Sequence, residues 1–210
     1  MIQESYEGIE TKAGTICING GTIDITSSDD GINASGNRIS VIQFNSGTIY
    51  INAQGDGIDG NNTVSINGGQ LIIAGPTNGA NSALDSDGGI TINGGTIIAY
   101  GSASMLELPD STNQNTVSIT FDTTYPANSK IKVVDSSNNT VVEFTNEKSF
   151  QNVIFSDGSL VNGDYKVFVN EDEVNQFTIS STLTTIGSTG MGTMGGRGNK
   201  LFDRQQPQEQ

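Results

Sequence analysis

The sequence has no histidine and no tryptophan, a single cysteine, and only nine lysines and arginines in 210 residues. Each shortage excludes something. Without His, the commonest general base and the commonest nitrogen ligand for metals are both missing. Cys17 alone makes an intrachain disulfide impossible. Its place between Ile16 and Ile18, in an alternating run, reads as a small strand residue. No apolar stretch approaches the roughly 20 residues of a membrane-spanning helix, and no window keeps a 3.6-residue apolar period. Up to Asn115, twelve acidic residues face only Lys12 and Arg38. That balance excludes a phosphate-backbone partner such as nucleic acid, which needs clustered cations.

What is present is glycine (27 residues), a formal charge of −14, and a repeat. Asp56-Gly57-Ile58-Asp59 has equivalents at Glu7-Gly8-Ile9-Glu10, Asp30-Gly31-Ile32-Asn33, Ser82-Ala83-Leu84-Asp85 and Ser104-Met105-Leu106-Glu107, in steps of 23, 26, 26 and 22 residues. A second element keeps the same phase. It runs from Thr15 to Ile25, Val41 to Ile51, Val64 to Ile73 and Ile90 to Ala99, with Asn-Gly-Gly or Asn-Ser-Gly at its centre. Each half alternates apolar with polar residues and reads as a short strand with one buried face. The Asn-Gly centre alone would suggest an antiparallel hairpin. Hairpins do not return an acidic block every ~25 residues in one phase, whereas a climbing coil does. The expected fold is all-β: a parallel β-helix with rungs about 4.8 Å apart. Ile9, Ile32, Ile58, Leu84 and Leu106 form one inward stack. Ile18, Phe44, Ile66 and Ile92 form another.

Stacking turns the repeat into columns. One holds Glu7, Asp30, Asp56, Ser82 and Ser104. The next holds Glu10, Asn33, Asp59, Asp85 and Glu107, with Asp29 and Asp87 alongside. Carboxylates one rung apart repel each other unless they are hydrated, protonated or bridged by cations. Oxygen-only ligands suit a hard cation, Ca²⁺ before Mg²⁺. The candidate ligands are Glu7, Glu10, Asp29, Asp30, Asp56, Asp59, Asp85 and Asp87, with Asp56, Asp59 and Asp85 foremost. A solvated acidic face with polar ladders is the competing reading.

The coils occupy residues 1 to about 115. From 116 to 180 the repeat is lost and aromatics rise. Strands are expected at 116–121, 130–134, 140–144, 153–155, 165–170 and 176–180. They should form an antiparallel β cap or small sandwich, because a last coil is otherwise an open edge. Residues 181 to 210, rich in Gly and then Gln, read as a low-complexity tail.

Several blocks together resemble a clostridial family of secreted carbohydrate-binding domains. They are Tyr6-Glu7-Gly8-Ile9-Glu10, Ile18-Asn19-Gly20-Gly21-Thr22-Ile23, Ser28-Asp29-Asp30-Gly31-Ile32-Asn33-Ala34 and Ala83-Leu84-Asp85-Ser86-Asp87-Gly88, with the regions around Lys148-Ser149-Phe150-Gln151 and Gly163-Asp164-Tyr165. The likeness covers about residues 4 to 190. It implies a right-handed, polysaccharide-lyase-like β-helix without known lyase activity. It also implies extracellular or cell-surface display, Ca²⁺ binding, and affinity for plant cell-wall polysaccharides, cellulose and acidic sugars among them. Family domains carry further coils before the Tyr-Glu-Gly block, so this chain corresponds to a C-terminal half or a short form. Its secretory leader is expected to have been removed.

Three function classes remain. Asp29-Asp30 resembles the paired aspartates of pectin hydrolases, but those sites add a His and a cation. A lyase needs a Lys or Arg base beside the uronate, and neither Lys12 nor Arg38 recurs beside the acidic columns. No catalytic residues are expected. The second class is Ca²⁺-bridged, non-catalytic binding of polysaccharide such as polygalacturonate, with cellulose ranked lower for want of coplanar aromatics. The third is a structural subunit, a homo-oligomer that stacks end to end into a filament or surface layer.

Overall fold

The computed structural model describes residues 1–36, 39–79 and 81–187. Arg38 and the stretch from 188 to 210, which holds most of the expected tail, lie outside the described residues. Among the described residues the coils contain twelve strands. They are β1 (Ile2–Ser5), β2 (Ile9–Thr11), β3 (Thr15–Ser27), β4 (Ile32–Ala34), β5 (Val41–Ala53), β6 (Ile58–Gly60), β7 (Val64–Ile66), β8 (Gln70–Ala74), β9 (Leu84–Ser86), β10 (Ile90–Ile92), β11 (Thr96–Gly101) and β12 (Ser111–Thr112). Every pairing among them is parallel, so the chain winds and does not fold into hairpins.

Three faces result. The first is the ladder β2-β4-β6-β9, in which Ile9, Ile32, Ile58 and Leu84 stand in one register. The second and third share long strands in the lower coils, β3 and β5. Higher up these split at the Asn-Gly corner into β7 and β8, then β10 and β11. On the second face Ile18, Phe44, Ile66 and Ile92 are in register. Both expected stacks therefore exist. Leu106 packs against the same core from a segment that is not a strand. Each fully buried aliphatic side chain contributes about 1.5–3 kcal/mol. No coil can gain this alone, because its apolar edge is covered only by the next coil.

The corner between the second and third faces is held by an amide ladder. Asn45 donates to Asn19 (2.8 Å), Asn67 to Asn45 (2.7 Å), Asn93 to Asn67 (2.7 Å) and Asn113 to Asn93 (2.7 Å), always Nδ2 to Oδ1. A carboxamide is both donor and acceptor, so identical rungs satisfy one another. The glycine after each ladder corner has a left-handed backbone, with φ of 110° at Gly47, 91° at Gly69 and 99° at Gly95. A Cβ at Gly69 would sit 2.8 Å from the carbonyl of Gly47, one coil below.

The remaining strands are β13 (Thr116–Tyr125), β14 (Lys130–Asp135), β15 (Thr140–Thr145), β16 (Phe150–Ser156), β17 (Gly163–Val169), β18 (Asp172–Ile179) and β19 (Leu183–Ile186). β16 pairs antiparallel with β11, from Ile97 opposite Ser156 to Gly101 opposite Asn152. It takes the open edge of the last coil on the third face. β13 and then β19 extend that sheet, and β15-β14-β17-β18 form a separate antiparallel sheet. A second core joins the two. Tyr100 from the coils belongs to it with Phe121, Phe150, Phe155, Tyr165 and Phe177, and its ring packs on Phe144 and Phe150. The expected strands are present with longer or shifted ends. Leu183–Ile186 differs from expectation, because this part of the expected tail is a strand paired parallel with Thr116–Ile119.

The cap is also tied to the coils by polar contacts. The Glu147 amide donates to Tyr100 Oη (3.1 Å), Asn52 Nδ2 donates to Glu147 Oε2 (3.3 Å), and Lys148 Nζ donates to the carbonyl of Ala53. Burial pushes the Lys148 amine down to about 8.

Replacing Asn67 by Ala removes two ladder bonds at once and should lower unfolding stability by about 1–2 kcal/mol. Asn113→Ala, at the end of the ladder, should cost less. Urea unfolding of both variants reads this out, and equal losses would show that the ladder does not act as a chain.

Candidate metal centre

The acidic columns stand on the first face and on the turn that enters it. The turn is fixed by backbone bonds between coils: Gly8 N to Asp30 O (3.0 Å), Gly31 N to Asp56 O (2.8 Å) and Gly57 N to Ser82 O (3.1 Å). The side chains of the first column repeat that pattern. Asp30 Oδ1 accepts from Asp56 N (2.7 Å), and Asp56 Oδ1 accepts from Ser82 N. Each of these carboxylates caps the amide of its own counterpart one coil on. The repeat also makes room for them. A Cβ at Gly55 would collide with the Oδ1 atoms of both Asp29 and Asp30.

Asp30, Asp56 and Asp59 each offer one oxygen, and the three oxygens lie within 4.8 Å of one another. Oxygens on opposite sides of a Ca²⁺ ion are also about 4.8 Å apart, twice the usual metal–oxygen distance. Three such atoms fit around one ion. Asp30 is 8% exposed, and its Oδ2 accepts from Asn33 Nδ2 (2.8 Å). Two further oxygens in this region, Asn33 Oδ1 and Glu7 Oε2, are buried without a hydrogen-bond partner. A buried acceptor left unmade costs free energy, and a cation is one group that would satisfy it. The donor set, with carboxylates and an amide oxygen and no nitrogen or sulfur, matches a hard divalent ion.

The electrostatics agree with crowding. Burial, reinforced by Asp30 and Asp29, pushes Glu7 up to about 7. Burial also raises Asp56 to about 7 and Asp59 to about 6, with neighbouring aspartates adding to both shifts. Asp30 is raised by burial, against the Asp56 amide, which favours its charged form.

The other candidate ligands are placed differently. Glu10 is exposed and lies 3.8 Å from Lys12 Nζ. Asp29 borders the cluster, and its carboxylate next to the Tyr6 hydroxyl raises the Tyr6 pKa. Asp85 stands beside Glu107, which burial first and then Asp85 push up to about 8. Glu107 Oε2 also accepts from Ser86 N (3.1 Å). Asp87 is exposed, and its charge is felt at Asp59. The group of three thus excludes Asp85 and takes in Asp30. Sequence reasoning did not single out Asn33 as a ligand or Glu107 as the partner of Asp85. Both stand in the second column, and that shared phase was the available signal.

No protein-family model, no curated protein and no solved structure matches this chain.

Glu7, Asp56 and Asp59 bind protons more tightly in the folded chain than at their ordinary values of 4.5, 3.8 and 3.8. Between those values and about 6 to 7, the folded chain keeps protons that the unfolded chain has lost, so stability falls as pH rises through this window. In chelator, the thermal midpoint should be higher at pH 5 than at pH 8. Asp56→Asn, which keeps an oxygen for the Ser82 amide, should flatten the dependence. A midpoint that climbs from pH 5 to pH 8 would contradict the crowding.

Proposed function

We propose that this chain is a non-catalytic, Ca²⁺-dependent module that binds cell-wall polysaccharide outside the cell, with acidic sugars such as polygalacturonate ahead of cellulose. The observation that carries the metal half is the group Asp30, Asp56 and Asp59, with unpartnered buried oxygens of Asn33 and Glu7 beside it. The ion offsets repulsion that the coil stacking imposes. Asp59 is only half-buried, which leaves one side of the ion open to a uronate carboxylate or a pair of sugar hydroxyls. The polysaccharide half rests on the family resemblance and on charge. A −14 protein repels polyuronate unless a cation lies between them. Catalysis has no support in the acidic columns. Lys12 is exposed beside Glu10, and the sequence has no His.

Filament assembly is the second reading. It draws on the uniform parallel stacking of the coils, and is weakened where β16 runs antiparallel along β11 and, among the described residues, leaves no parallel edge on the third face.

Calorimetric titration with Ca²⁺ should give saturable binding that Asp59→Asn weakens about tenfold or more, equivalent to at least about 1.4 kcal/mol. Sedimentation with polygalacturonate should retain the protein in Ca²⁺ and release it in EDTA. Retention that survives EDTA would overturn metal bridging. A flat Ca²⁺ titration would overturn the site itself.

A further inference from the structure

We propose that Asn67 and Asn93 are latent self-modification sites that the amide ladder keeps shut: both keep their amides in the stacked chain and turn to aspartate and isoaspartate when their coil opens. The sequence has five Asn-Gly pairs, Asn19-Gly20, Asn67-Gly68, Asn78-Gly79, Asn93-Gly94 and Asn162-Gly163. Glycine after asparagine favours ring closure, because no Cβ hinders the approach of its backbone nitrogen. That nitrogen attacks the asparagine Cγ and gives up its proton to water. The Cγ–Nδ2 bond breaks, ammonia leaves, and a succinimide ring remains. Water then opens the ring at one carbonyl to give aspartate, or at the other to give isoaspartate. Water is the only co-reactant, and nothing is oxidised or reduced.

At the corners the structure opposes each part of that reaction. The carboxamide is gripped at both ends. Asn67 Nδ2 donates to Asn45 Oδ1 (2.7 Å) while Asn67 Oδ1 accepts from Asn93 Nδ2 (2.7 Å), and Asn93 Oδ1 accepts in turn from Asn113 Nδ2 (2.7 Å). The leaving nitrogen and the oxygen are both held, so Cγ cannot swing towards the glycine nitrogen. The backbone is held as well. Asn67 N donates to Phe44 O (2.7 Å), Asn93 N to Ile66 O (2.7 Å), and Gly94 N to that same Ile66 oxygen (3.3 Å). There is also little slack. A Cβ at Gly68 would lie 2.8 Å from the carbonyl oxygen of Asn45, and one at Gly94 would lie 2.9 Å from that of Asn67. Asn78-Gly79 is the contrast. Both residues are exposed, on the loop between β8 and β9, and a Cβ at Gly79 would meet the side chain of Ser104, which can turn aside. Asn78 therefore converts in the folded chain. Conversion at a corner is one-way for the ladder. An aspartate at 67 has no N–H for Asn45, and an isoaspartate adds a backbone carbon that spoils the register.

The test is to hold the full chain in mildly alkaline buffer with EDTA, sample it over days, and map each Asn-Gly peptide by mass spectrometry. Chemistry that waits for a coil to open is slowed by the rarity of the opening, so Asn67 and Asn93 should convert about tenfold or more slowly than Asn78. In denaturing urea the three rates should converge. Asn45→Ala removes the acceptor of Asn67 alone. It should speed Asn67, while Asn93, still bonded to Asn67 and Asn113, lags behind. Asn67 and Asn93 converting in native buffer as fast as Asn78 would overturn the proposal. So would an Asn45→Ala chain in which Asn67 stays as slow as before. Equal acceleration of Asn67 and Asn93 in that chain would overturn it too, because the guard would then be the rigidity of the whole stack and not the ladder.

Discussion

Like meeting like along the coil axis is the constraint on which this structure depends. A parallel stack in constant register places each side chain directly over its counterpart. For aliphatic residues this is favourable without further design, since any isoleucine covers another. For asparagine it is favourable for a different reason, because a carboxamide complements itself. For carboxylates it is unfavourable, and the chain shows three responses to that. Asp30 and Asp56 turn an oxygen to a backbone amide one coil on. Glu107, beside Asp85, is pushed up to about 8, first by burial, and turns an oxygen to the Ser86 amide. Asp30, Asp56 and Asp59 converge on a space that suits a cation. The same arithmetic of repeat length yields a core, a polar seam and a charged cluster.

How much of this was legible in the sequence depended on whether period alone decided the outcome. The two inward stacks follow from spacing, and the structure has them residue for residue from Ile9 to Leu84 and from Ile18 to Ile92. The Asn ladder has the same period but was hidden by the glycines. Asn-Gly reads first as a turn, and the amide-to-amide bonds appear only when the rungs are stacked. The membership of the acidic group was less legible still. Column position treats Asp59 and Asp85 alike. Asp30, from the other column, completes the group in place of Asp85, and that approach between columns cannot be read from spacing. Asp29 and Asp30 owe their room to Gly55, which stands outside the repeating block.

Beyond residue 115 the repeat no longer instructs. Alternation located most of the strands there, yet pairing order is a matter of tertiary packing. Nothing in the sequence of Phe150–Ser156 says that it, and not the earlier Thr116–Tyr125, lies against the last coil. Leu183–Ile186 was lost for a compositional reason. It is a short Thr-rich strand leading into a glycine-rich stretch, and that context outweighed its own alternation. The aromatic residues were simpler. Phe121, Phe150, Phe155, Tyr165 and Phe177 are buried and in ring contact, as core residues are.

The late position of β16 in the chain has a consequence for biosynthesis. The ribosome delivers the amino-terminal coil first, and chains begin to fold during synthesis. Each finished coil exposes a fresh sheet margin that only the next one hides. The strand that seals the third face is completed at Ser156, and the Lys148 anchor to Ala53 links residues 95 positions apart. Until that segment leaves the exit tunnel, the nascent stack carries a sticky rim, and slow translation between residues 101 and 156 would lengthen the interval in which neighbouring nascent chains can entangle.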